Sequence, residues 1–85
     1  MAERIARAWF QCPDSGDEVI VEVYAARAPS RCRPTSYTGG PEGADTERWC
    51  ELFNGTQTVG MGDTVATLRS FGVGRSDLSE WEYDR

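Results

Sequence analysis

The clearest pattern in the chain is the alternation in residues 18–27, Glu-Val-Ile-Val-Glu-Val-Tyr-Ala-Ala-Arg. β-Branched residues dominate it, with Val19, Val21 and Val23 on one face and Glu18, Ile20, Glu22 and Tyr24 on the other, as a strand requires. Before it, Cys12-Pro13-Asp14-Ser15-Gly16-Asp17 is rich in residues that each favour a turn for a local reason. Residues 3–11 fit either a strand or a short helix, and Trp9-Phe10 just ahead of the turn favours the strand. Together, 3–11 and 18–27 predict an antiparallel hairpin.

The pattern then breaks. Residues 28–44 hold Pro29, Pro34, Pro41, Gly39, Gly40 and Gly43, and predict a long loop. Residues 46–53, Thr-Glu-Arg-Trp-Cys-Glu-Leu-Phe, predict a third strand ended by the hairpin signal Asn54-Gly55, with Thr56–Val59 free to pair back. Gly60-Met61-Gly62-Asp63 reads as a turn. Residues 64–71 suit a short helix capped by Asp63 and ended by Gly72, although Thr-Val-Ala-Thr-Leu also suits a strand. The tail from Ser76 to Arg85 predicts a short helix, with Ser76 as N-cap and Leu78 and Trp81 docking it. The expected fold is α+β: one domain over residues 1–85, a small antiparallel sheet of three to four strands, and a short C-terminal helix.

Length and charge narrow the functions. A chain of 85 residues buries only about 60% of its unfolded surface and has little room to enclose a catalytic pocket. The net charge is −5 and all nine cations are Arg. Direct binding to a nucleic-acid backbone needs clustered cations, so the acidic balance argues against it and permits binding to a basic protein surface. No apolar run approaches membrane-spanning length, and the N-terminal residues lack the apolar core of a signal peptide, so a cytoplasmic protein is expected.

The chemistry of common active sites is missing. There is no His, which removes the usual general base and any Ser–His–Asp or Cys–His arrangement. No phosphate-binding loop is present; Gly60-Met-Gly62 and Gly72-Val-Gly74 read as turns. Cys12, Cys32 and Cys50 are odd in number and contain no C-x-x-C pair, which predicts reduced thiols and no zinc site, while one disulfide with one free thiol remains formally open. Asp14-Ser15-Gly16-Asp17-Glu18 lacks the spacing of a calcium loop. Neither enzyme activity, metal nor cofactor is expected.

Two acidic clusters remain as candidate partner-binding residues. The first is Asp14, Asp17, Glu18 and Glu22 with Tyr24 beside it; the second is Asp77, Glu80, Glu82 and Asp84 with Tyr83. On a strand, Glu18 and Glu22 point the same way about 13 Å apart, a spacing that could occupy a groove meant for a phosphate backbone. Arg27, Arg31 and Arg33 are expected to pair with the protein's own carboxylates.

The run Glu-Val-Ile-Val-Glu-Val-Tyr, the Tyr37-Thr-Gly-Gly-Pro41 loop and Thr46-Glu-Arg-Trp-Cys-Glu-Leu-Phe-Asn-Gly55 resemble small phage-encoded proteins of a strand–loop–strand type, over residues 18–55. The chain departs from them where Phe53 stands between Leu52 and Asn54. Size and charge make it similar to phage-encoded anti-CRISPR proteins. That resemblance implies an inhibitor, in part a DNA mimic, acting in the host cytoplasm on a basic nucleic-acid-binding surface such as that of a CRISPR effector complex. These proteins share no common motif, so no residue role follows from the resemblance. The alternative expectation is a small phage structural or accessory protein, a monomer or small homo-oligomer, associating through the edge of the 18–27 strand.

Overall fold

The structure is a computed structural model that describes residues 2–35, 41–74 and 81–84. The elements run β1 (Arg4–Gln11), β2 (Glu18–Tyr24), β3 (Arg31–Pro34), α1 (Pro41–Gly55), α2 (Gly60–Ser70) and β4 (Glu82–Tyr83). The strands form one antiparallel sheet in the order β3-β2-β1-β4, and α1 and α2 cover one of its faces.

The expected hairpin is present. β1 and β2 pair from Gln11–Glu18 to Arg4–Tyr24, with an irregularity between Arg4 and Ala6. Their turn is closed by Cys12 N–H to the Asp17 carbonyl at 2.8 Å and by Gly16 N–H to the Cys12 carbonyl at 2.8 Å. Gly16 takes φ of +82° there, a conformation a side chain would strain.

Four expectations need correction. Residues 46–53 are helix, the centre of α1. The buried positions Thr46, Trp49, Cys50 and Phe53 recur at three- and four-residue intervals, which put one stripe of a helix against the sheet; a strand would have put Trp49 and Cys50 on opposite faces. The 28–44 segment is not all loop, since β3 lies within it. The described end of the tail is the edge strand β4, paired to Ala6 and Arg7, whereas residues 76–80 of the expected C-terminal helix lie outside the described residues. Thr56–Val59 adds no strand; Val59 makes only an isolated bridge to Pro29.

Residues 64–70 are helical, with Phe71 as the C-cap, but α2 starts earlier than expected. Its N-cap is Val59 with no side-chain cap, and Asp63 sits in the first turn. Its end follows the sequence closely. Gly72, at φ +100°, gives its N–H to the Arg69 carbonyl, and Val73 N–H reaches back to Leu68. Such paired bonds satisfy the last carbonyls of a helix.

The core lies between sheet and helices. Phe10, Cys12, Val19, Val21 and Cys32 from the strands meet Trp49, Cys50, Phe53 and Leu68 from the helices. Trp49 is the hub: it stacks on Phe53 (ring centroids 6.2 Å) and meets Phe10 and Phe71 edge-on at 5.8 and 5.7 Å. Its indole N–H donates to the Phe71 carbonyl at 3.3 Å, so its polar end is satisfied inside an apolar cluster. A second fastening is polar: the hydroxyls of Ser30 and Thr64, both buried, bond at 2.6 Å. Trp81 packs against the core from the tail.

Candidate interaction surface

The second face of the sheet positions the candidate residues. Opposed residues of an antiparallel pair share a face, so register alone generates its rows. Arg31, Glu22, Arg7 and Glu82 form one row across the four strands, and Arg33, Ile20 and Trp9 form the next. Trp9 is 38% exposed, and the Arg7 guanidinium lies over its ring, 4.9 Å from the centroid.

Three carboxylates of this face, Glu22, Glu82 and Asp84, are matched by arginines. Arg4 donates to Asp84 at 2.6 Å and to Glu22 at 3.0 Å, and Arg33 donates to the other Glu22 oxygen at 3.2 Å. The result is a chain Asp84–Arg4–Glu22–Arg33 running from one sheet edge to the other. Arg7 and Glu82 pair beside it at 3.5 Å. The Glu22 side chain is only 11% exposed. Its desolvation disfavours the charged form, but the two arginine hydrogen bonds together outweigh that and hold its pKa below the ordinary value. The Asp84 pKa is also lowered, chiefly by its hydrogen bond from Arg4, and the Arg4 pKa is raised by the same contacts. Glu3, Arg4, Ile5, Glu22 and Asp84 line an open depression of about 390 Å³ here.

The candidates therefore divide. Glu22, Glu82 and Asp84 belong to the matched face, with Tyr24 half-buried at its end. Glu18 shares the face at the far end of β2, is exposed, and accepts a hydrogen bond from the Thr35 hydroxyl at 2.9 Å. Asp14 is exposed on the hairpin turn. Asp17 is tied inward, accepting from the Thr46 hydroxyl at 2.9 Å, and so fastens the turn to α1. Tyr83, 66% exposed, alternates with Glu82 and falls on the opposite side of the sheet. Asp77 and Glu80 lie outside the described residues.

Sequence reasoning missed Arg4, Arg7 and Trp9 as members of this surface. For Arg7 and Trp9 the signal was available: they stand out of phase with Ala6, Ala8 and Phe10, and a hairpin closed at Gln11–Glu18 brings Arg7 opposite Glu22; Arg4 is in phase with the buried residues and pairs with Tyr24 only across the irregularity between Arg4 and Ala6. Of Arg27, Arg31 and Arg33, all expected to pair with the protein's own carboxylates, Arg33 does so, and Arg27 and Arg31 form no ion pair among the described residues.

The sheet edge is also closed in a way the sequence did not announce. The 18–27 strand is not an edge, since β2 is paired on both sides. At the β3 edge, the Asn54 amide accepts from Cys32 N–H at 2.7 Å and donates to the Cys32 carbonyl at 2.9 Å. A single side chain thus occupies the backbone groups that an incoming strand would use.

Fold and surface define an α+β protein with one helix-covered sheet face and one charge-matched face. Among the described residues no group of three or more His, Cys, Asp or Glu could hold a metal ion, and no helix is long and apolar enough to cross a membrane. No protein-family model matches the chain, and neither the curated proteins nor the solved structures yield a match.

Proposed function

We propose that this chain acts by binding a protein with a basic surface, as an inhibitor of the anti-CRISPR kind that denies a host CRISPR effector complex its DNA. The observation that supports this reading is the split within the acidic residues. Glu22, Glu82 and Asp84 already hold arginines, whereas Asp14 and Glu18 stand exposed without a cationic partner among the described residues. The hairpin-turn end of the sheet would therefore be the contact, rather than the whole acidic strand.

Charge attraction of this kind raises association rates and fades as salt screens it. The test is affinity for a purified CRISPR effector complex from about 50 to 500 mM salt, over which the Debye length falls from roughly 14 to 4 Å. Binding that weakens with salt, and weakens further when Asp14 and Glu18 are reversed to Lys, supports the reading. Equal loss on reversing Glu3 would reject the turn as the contact. Absence of binding at every salt concentration would reject the inhibitor.

A further inference from the structure

We infer that Cys32 and Cys50 are a dithiol pair built to close into a disulfide that staples the edge strand β3 to helix α1. The inference stands apart from the binding proposal, because both sulfurs lie on the helix-covered side of the sheet, away from the charge-matched face.

The geometry is specific to these two thiols. Their sulfurs are 3.1 Å apart in a buried contact, and a disulfide bond is about 2.05 Å long, so closure asks for roughly 1 Å of approach. Cys32 is held from two sides. The backbone of Cys32 is paired to β2 at Val21 and gripped on its other side by the Asn54 amide. Asn54 stands one helical turn beyond Cys50, so one stretch of α1 holds Cys32 by its backbone and faces its thiol. Cys12 is buried in the same cluster, yet only Cys32 and Cys50 meet sulfur to sulfur among the described residues. The residues are 18 positions apart, so the link would close a long loop, which restricts the unfolded chain.

The pair also has a built-in division of labour. The hydrogen bond between the thiols favours the thiolate at Cys50 and lowers its pKa, and the same bond, with burial, raises that of Cys32. The thiolate is the reactive form. With hydrogen peroxide as oxidant, Cys50 sulfur attacks one peroxide oxygen, the O–O bond breaks, and hydroxide leaves to take up the proton Cys50 had released. Cys32 sulfur then attacks the Cys50 sulfenic acid; its own proton and the sulfenic hydroxyl leave as water. Two thiols are oxidised by two electrons and one peroxide is reduced to two waters.

The test is peroxide titration of the folded full chain, read by intact mass, peptide mapping and thermal unfolding. The expected product has lost the mass of two hydrogens, maps to Cys32–Cys50, and melts about 10 °C higher until a reductant reverses it. Cys12→Ser should react in the same way, and Cys50→Ser should not lose the two hydrogens. The inference is overturned if the folded chain keeps three thiols at doses that oxidise the denatured chain, if the main product contains Cys12, or if the Cys32–Cys50 link leaves the melting temperature unchanged or lower.

Discussion

The two faces of the one sheet solve burial in opposite ways. On the helix side, Phe10, Val19 and Val21 meet Trp49, Phe53 and Leu68 with scarcely a polar atom between them. On the other side, Glu22 is almost as inaccessible as its valine neighbours, at 8% exposure, but sits between Arg4 and Arg33. The apolar side draws its stability from area removed from water, at about 25 cal/mol per Å². The charged side gains much less, because each ion pair must offset the desolvation of its members. What it gains is position: a two-armed contact fixes β1, β2, β3 and the tail in one register. The helix side should therefore hold the fold, and the charged side should set how the strands and tail are aligned.

The largest test of that contrast is Phe53→Ala. It should cost about 3–5 kcal/mol, enough to abolish cooperative denaturant unfolding in a chain this small, whereas Trp9→Ala on the open face should shift the midpoint by about 1 kcal/mol or less. Asn54→Ala should cost about 1–2 kcal/mol by freeing the Cys32 N–H and carbonyl. It should also be the variant that self-associates in light scattering, since it reopens the β3 edge. Glu22→Ala should cost about 2 kcal/mol and Glu82→Ala about 0.5 kcal/mol or less, measured by urea unfolding, because the first leaves two arginines without a shared partner and the second loses an exposed pair.

The smallest effect is in acid. Glu22 and Asp84 have lowered pKa values in the folded state, so their stabilisation is present above their unfolded values near 4 and is lost as pH falls through the folded ones. Stability should decline below about pH 4, and Glu22→Gln should flatten that decline. An unchanged acid slope in Glu22→Gln would show that the Arg4–Glu22–Arg33 contacts do not distinguish folded from unfolded chain.

Much of the frame was legible in sequence. The 18–24 alternation, the Cys12–Asp17 turn and the Gly72 helix stop are local signals, each acting through the conformational limits of a few adjacent residues. The misread helix shows where such signals end. Trp49-Cys50-Glu51-Leu52-Phe53 is a short apolar run that suits a buried strand or one turn of helix equally. Asn54-Gly55 behind it promised a hairpin turn, but Asn54 is spent on the β3 backbone instead. Only the wider spacing Thr46, Trp49, Cys50, Phe53 separates the alternatives, and it counts only once there is a sheet for that stripe to cover.

The candidate surface divides in the same way. Sequence by itself determined that the chain is acidic, that its acids cluster at 14–22 and near the C-terminus, and that Glu18 and Glu22 share a strand face. Tertiary structure decided which of those charges remain available. Arg4 and Asp84 stand 80 positions apart, and Arg33 reaches Glu22 only because β3 lies beside β2. Pairing between side chains is governed by distance in space, which strand order and register set, and neither is written in the local pattern of any one segment.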